Sequence, residues 1–294
     1  MTGSRVKWRR GGRSAAAASL AGAPNHSAND PIINPGDSAV VQGKFAYGTV
    51  SKDLEGEEVG LWLRMGRCGA WKEIRRAVTD DDGRLAIEVS HQYFSGPGAY
   101  PYQFIVRGDL SRVSGTIYVL DRNTPVVIFD VDGTLTTSDS ELLEQVALGR
   151  DPEVRPGASQ VANYYATASY LPIYVSGRPY LLRRSTAAWL RRHGFPPGPL
   201  VTTDAITDAA PTQSGVGRFK YNTLARLVDD VGLHVIAAYG NADTDVCVYS
   251  SIGLPPEKTF IVSDQPRQCP PHPPVQTIDS YIEHYRVLGQ EGTR

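Results

Sequence analysis

Residues 126–136 read Val-Val-Ile-Phe-Asp-Val-Asp-Gly-Thr-Leu-Thr, and the fold turns on them. Large apolar residues run without a break into Asp130, and Asp132 follows two positions on. A continuous apolar run is the mark of a strand buried on both faces, as in a parallel sheet. Gly133 and Thr134 then end it. Carboxylates at the carboxyl end of such a strand lie on the edge where open α/β sheets place their ligands. Two other readings compete. One is a solvated turn. The other is an EF-hand calcium loop, with Asp130, Asp132, Thr134 and Glu141 at loop positions 1, 3, 5 and 12. That loop needs glycine at position 6, where Leu135 stands, and a helix in front, where this chain has a β-branched strand.

Working outward, residues 122–294 alternate strand and helix patterns, which predicts βαβ units and a parallel, Rossmann-like sheet. The strands fall at Val126–Asp130, Leu171–Ser176, Pro199–Thr203, Val235–Gly240 and Thr259–Ser263. Pro179 opens a helix that Gly194 closes. Its arginines 183, 184, 191 and 192 read as a solvated face, with contact to an anionic surface as the sharper alternative. Pro270–Pro274 reads as extended and Thr277–Leu288 as a final helix.

Residues 36–121 look different. Short segments rich in Val, Ile, Tyr and Trp recur between turn signals, which predicts a small all-β, Ig-like sandwich. Asp82-Gly83 signals a hairpin. Leu85, Ile87 and Val89 should point inward. No catalytic cluster is visible in this part, and the lone His91 reads as a surface or satisfied residue.

Residues 1–35 carry Arg5, Lys7, Arg9, Arg10 and Arg13, with no acid before Asp30. Ala15–Ala23 gives the outline of a weak export signal, but a disordered basic tail is the favoured reading. With the whole chain at a net charge of −1, nothing pulls it toward nucleic acid. No apolar run is long enough to span a bilayer. Cytoplasmic or peripheral-membrane residence follows as the expectation. Cys68, Cys247 and Cys269 form no CxxC pair, and their odd number predicts reduced, structural thiols.

Three further signals follow Asp130 and Asp132 in order. Tyr174-Val175-Ser176-Gly177-Arg178 ends the second strand, and Ser176 can bond a phosphoryl oxygen. Lys220 opens the next helical pattern. Tyr239-Gly240-Asn241-Ala242-Asp243-Thr244-Asp245 ends the strand after that, with Asp243 readable as a cap or a ligand. A phosphate monoester repels a carboxylate nucleophile, so the chemistry needs positive charge nearby. Thr134, Gly177 and Arg178 complete the residues expected to touch substrate.

The Asp-x-Asp-Gly-Thr motif, with these later signals, resembles the haloacid-dehalogenase-like (HAD-like) phosphohydrolases. The run Phe129–Asp139 resembles the lipin phosphatidate phosphatase motif. Residues 36–285 resemble the lipin/LNS2-type C-terminal region of membrane-associated phosphatidylinositol-transfer proteins of the retinal-degeneration-B type. Val106–Asp109, Asp151–Gly157, Tyr174–Pro179, Trp189–Pro196 and Ala237–Gly240 carry that resemblance. It implies a sandwich preceding a phosphatase-like domain, Mg²⁺ as cofactor, and phosphatidic acid or a related anionic lipid phosphate as ligand. Asp130 would be the nucleophile and Asp132 the proton-transfer group. Asp130, the Asp132 carbonyl and Asp245 would hold the metal, with Asn241 supporting and Lys220 neutralising charge. Those transfer proteins typically have a degraded first motif and are taken as lipid-binding, whereas this chain keeps both aspartates. No counterpart of the transfer domain is expected before residue 36. The spacings 130–176 and 176–220 leave no room for a large cap, so an open site suited to a lipid headgroup or a phosphoprotein is expected.

Overall fold

Strand periodicity governs the first of the two units into which the chain divides, Met1–Asp121 and Arg122–Arg294. The computed structural model describes residues 4–48, 51–66, 69–137, 151–203 and 213–291. The first unit holds helix α1 (Gly12–Leu20) and ten short strands. These are β1 (Ser27–Ala28), β2 (Ile32–Ile33), β3 (Ala39–Lys44), β4 (Ala46–Tyr47), β5 (Lys52–Asp53), β6 (Glu58–Arg64), β7 (Trp71–Val78), β8 (Arg84–Val89), β9 (Gly98–Val106) and β10 (Arg112–Val119). Two sheets, ordered β1-β3-β8 and β2-β10-β9-β6-β7, form the sandwich, and β4 pairs with β5 beside them.

Strand β8 shows the mechanism. Leu85, Ile87 and Val89 are buried while Ala86 and Glu88 are exposed, the two-residue period of a sheet with one wet face. Their faces meet a core holding Phe45, Leu61, Tyr102, Phe104 and Ile117. The Phe104 ring lies edge-on to Phe45 at 5.7 Å and to Tyr102 at 5.3 Å, a favoured aromatic geometry. Burying each large apolar side chain contributes roughly 1.5–3 kcal/mol.

Two expectations change here. Residues before 36 are not a disordered tail throughout: β1 pairs with β3 and β2 with β10, because Ala28 and Ile32 are buried in the sandwich. Strands of two residues are too short to show a period in sequence. The Asp82-Gly83 turn also does not close a hairpin, since β7 and β8 belong to different sheets. It passes the chain between them, with Asp80 Oδ1 accepting from the amides of Asp82 and Arg84. Gly83 is required: φ is +68° and a Cβ would stand 2.5 Å from the Phe45 carbonyl oxygen. His91 is exposed, as read from sequence.

The second unit is an α/β layer structure. Its strands are β11 (Pro125–Asp130), β12 (Leu171–Pro179), β13 (Leu200–Thr203), β14 (His234–Gly240), β15 (Thr259–Val262) and β16 (Gln276–Ile278). Helices α2 (Ala158–Thr167), α3 (Arg183–Arg192), α4 (Gln213–Ala225), α5 (Asp243–Ser251) and α6 (Tyr281–Glu291) connect or follow them. All pairings are parallel, in the order β13-β12-β11-β14-β15-β16. Chain direction across the sheet reverses at β11, so the switch-point crevice opens at the carboxyl ends of β11 and β14. Under it Phe129 stacks on Tyr239 at 4.9 Å, and Trp189 is fully buried with its indole N–H donating 2.7 Å to the Pro152 carbonyl.

Several boundaries and one bond differ from expectation. Residues 276–278 form strand β16, so the last helix begins at Tyr281. Pro179 ends β12, and a 3₁₀ turn over Tyr180–Leu182 precedes α3. Lys220 lies within α4, not at its start. The proline-rich segment turns rather than extends, with the His272 amide donating to the Cys269 carbonyl. Cys247 and Cys269 form a disulfide with Cα atoms 5.2 Å apart. Residues 22 positions apart carry no local sign of pairing, which is why the thiols read as reduced. Cys68, Glu141 and parts of both segments considered for a cap lie outside the described residues. The calcium reading fails because strand β11, not a helix, precedes Asp130. Among the described residues no helix is long and apolar enough to cross a membrane.

Candidate active site

Strand β11 delivers Asp130 as its last residue, only 2% exposed. The chain then turns sharply. Gly133 takes φ +68°, and its amide donates to Thr136 Oγ1 at 2.9 Å. This turn brings Thr134 Oγ1 back to donate to Asp130 Oδ2 at 2.9 Å, with Asn241 Oδ1 3.3 Å away. From α4, Lys220 Nζ reaches Asp130 Oδ1 at 2.7 Å and Asp245 Oδ1 at 2.6 Å. The other Asp245 oxygen accepts from the backbone amides of Asn241 (3.0 Å) and Ala242 (3.1 Å) at the start of α5. Gly240 makes this packing possible, because a Cβ there would stand 2.5 Å from Asp245 Cβ.

Burial decides the electrostatics. It raises the Asp130 carboxyl most; Lys220 opposes this and Asp245 and Asp132 reinforce it, leaving the value at about 7. Burial alone would lower Lys220, but its two carboxylate partners outweigh this and hold it above the ordinary lysine value. Lys220 therefore stays charged, and Asp130 titrates near neutrality. A functional carboxylate tuned in this way is a recurring property of catalytic sites.

Asp132 belongs to a second array. Its Oδ1 accepts from Arg178 Nε at 2.8 Å and its Oδ2 from Ser176 Oγ at 2.9 Å. Arg178 is fully buried and also donates through Nη1 to Thr186 Oγ1 at 3.0 Å. Gly177 is packed so closely that a Cβ would sit 2.9 Å from Val216.

Asp130, Asp132, Thr134, Ser176, Arg178, Lys220, Asn241 and Asp245 thus gather into two linked arrays, with four residues making contacts other than those expected. Asp245 places one oxygen against Lys220 and the other against two backbone amides, contacts that the metal-ligand spacing did not suggest. Ser176 donates to Asp132, where a phosphoryl contact was expected. Arg178 orients Asp132, and neither it nor the buried Arg183 faces a membrane; Arg184, Arg191 and Arg192 are exposed, and Arg192 pairs with Asp151 at 2.6 Å. Asp243 is the first residue of α5, one position after the cap, and its Oδ1 accepts from the Gln268 amide at 2.9 Å. Sequence reading passed over Arg155, whose Nη2 donates to the carbonyls of Gly133 (2.9 Å) and Thr137 (3.2 Å). It also passed over Thr186. Neither stands in a catalytic spacing; both are found only through the loop or side chain they hold.

A divalent cation can be tested against this donor set. Among the described residues no group of three or more His, Cys, Asp or Glu could hold a metal by itself. Mg²⁺ does not need one: it binds through one or two carboxylates, waters and substrate phosphate oxygens. Asp130 Oδ2 and Asn241 Oδ1, both near Thr134 Oγ1, supply hard oxygens of the required type. The charge inventory also fits. Among the described residues the ion pairs of the site set Asp130, Asp132 and Asp245 against Lys220 and Arg178, a net negative balance when all are ionised that a phosphate dianion meets unfavourably.

The LNS2 domain model of the PITM 1-3 proteins matches residues 127–263, and their β-sandwich domain model matches residues 24–119. Membrane-associated phosphatidylinositol transfer protein 1 of Rattus norvegicus is 34% identical over 268 residues, 90% of this chain and 20% of that protein. Protein retinal degeneration B of Drosophila melanogaster is 32% identical over 273 residues, 92% of this chain and 20% of that protein. The chain therefore spans about a fifth of the length of these curated relatives. The class C acid phosphatase from Bacillus anthracis superposes with a TM-score of 0.33 and 16% identity, covering 58% of this chain and 80% of that one.

Proposed function

Residues 24–119 and 127–263 belong to the β-sandwich and LNS2 domain families of the membrane-associated phosphatidylinositol transfer proteins, and from that premise we propose that the chain hydrolyses a lipid phosphomonoester, phosphatidic acid foremost. The observation that carries the reading is the Asp130–Lys220 contact of 2.7 Å at the carboxyl end of β11, beside an intact Asp132. Asp130 attacks phosphorus, the ester P–O bond breaks, and Asp132 gives its proton to the leaving alkoxide. Water then attacks the aspartyl-phosphate and Asp132 takes up a proton. Inorganic phosphate leaves and Asp130 is restored. Lys220 offsets charge on Asp130, and Asp245 fixes the lysine in place. Ser176 and Arg178 hold the Asp132 carboxyl in one orientation for both transfers. Mg²⁺, held by Asp130, the Asp132 carbonyl and Asn241, would supply positive charge against the phosphoryl oxygens.

The lipid part rests on the relatives, which are named as membrane-associated and as phosphatidylinositol transfer proteins. One observation favours a second reading, in which the site binds the lipid phosphate without turnover. Asn241 stands where a second acid would strengthen metal binding, and Asp245 is committed elsewhere. Phosphate release from phosphatidic acid vesicles with and without Mg²⁺ separates the two. Release that needs both Mg²⁺ and Asp130 supports hydrolysis. Vesicle binding that depends on phosphatidic acid, without any release, supports the second reading.

A further inference from the structure

We propose that the segment Arg5–Arg13, fixed on the β-sandwich, is a docking surface for an anionic lipid bilayer. The proposal concerns the first unit and does not rest on catalysis at Asp130.

The segment is held through its backbone. The Val6 amide donates to the Arg107 carbonyl at 3.0 Å, and the amides of Arg9 and Arg10 donate to the Glu57 carboxylate at 2.9 and 2.8 Å. Arg5 Nε donates to the Gly108 carbonyl at 2.7 Å. The Trp8 ring packs so closely on Gly108 that a Cβ there would stand 2.1 Å from it. These contacts anchor the chain while Lys7, Arg9 and Arg13 remain exposed. Glu57 is 2% exposed and its carboxylate is occupied by the two amides. Glu55 pairs with Arg10. No acid precedes Asp30 in the sequence.

Apolar groups accompany the cations. Val6 is 37% exposed and lines a shallow groove with Arg5, Lys7 and Trp8. A basic cluster mixed with exposed apolar side chains suits a surface that offers both negative headgroups and an apolar layer beneath them. A nucleic acid offers only the charge. The overall net charge of −1 also leaves this cluster as a local feature, not part of a polyanion-binding surface at large.

Sedimentation of the whole chain with vesicles tests the idea. Phosphatidylcholine vesicles carrying phosphatidylserine, and no phosphatidic acid, should bind the protein; pure phosphatidylcholine vesicles should not. Lys7→Gln, Arg9→Gln and Arg13→Gln combined should weaken binding about a hundredfold without changing thermal unfolding, since all three side chains are exposed. Added salt should weaken the wild type and barely affect the triple variant. Asp130→Asn should bind these vesicles like the wild type, which separates this surface from the catalytic site. Equal binding by the triple variant and the wild type overturns the proposal. So does competition by duplex DNA as effective as that by vesicles of matched charge.

Discussion

Replacing Asp130 by asparagine should make the metal-free protein more stable at neutral and alkaline pH. The folded-state value of about 7 lies above the ordinary 3.8, chiefly because burial disfavours the charged form. A carboxyl raised on folding holds its proton more tightly in the folded state. Below the unfolded value both states are protonated and burial of the group costs nothing. As pH rises from about 4 to about 7, the unfolded chain loses the proton first and stability falls; above about 7 the full cost is present. At about 1.36 kcal/mol per unit, a displacement of this size corresponds to at most about 4 kcal/mol. Asparagine keeps the shape and carries no charge; its amide oxygen can accept from Lys220 while its NH2 donates to Thr134 Oγ1, so it removes that cost while Lys220 keeps Asp245. Urea unfolding in the presence of chelator, followed by helix ellipticity, reads the second unit because α2–α6 lie there. The variant should match the wild type near pH 4 and exceed it increasingly toward pH 8. A variant destabilised at pH 8, or a difference that does not change with pH, would refute the electrostatic account of the site.

Lys220→Met leaves Asp130 and Asp245 buried without their cation, and should destabilise by about 3–5 kcal/mol at neutral pH; adding Asp245→Asn should restore part of this in the same urea assay. Gly240→Ala drives a Cβ to within 2.5 Å of Asp245 Cβ, so it should displace the lysine array and abolish phosphate release while the fold survives by circular dichroism. Cys269→Ser opens the crosslink across 22 residues and should lower stability by about 3 kcal/mol under oxidising conditions. An unchanged urea midpoint would mean that the crossover after β15 is held by its other contacts.

Much of the site was legible because the chemistry sits at strand ends. The run Val126–Asp130 is buried on both faces and gives a continuous apolar signal, and the residues after it inherit their place from the sheet edge. Ser176 lies near the carboxyl end of β12, and Asn241 directly follows β14. What sequence could not show is which charges would pair. Arg178 sits within a strand-end motif and invites assignment to substrate, yet its complete burial makes Asp132 the partner that meets its desolvation cost. Asp245 stands at a metal-motif spacing, but the helix start places two amides against it and Lys220 takes the remaining oxygen. Strands β1, β2 and β16 are two or three residues long, below the length at which periodicity can be read.

The most direct test is release of inorganic phosphate from phosphatidic acid vesicles by the wild type and by Asp130→Asn, each with Mg²⁺ and with chelator. The account predicts release by the wild type with Mg²⁺, loss with chelator, and no release by the folded variant. Release that persists in Asp130→Asn, or a wild type that binds the vesicles and releases no phosphate, would contradict it.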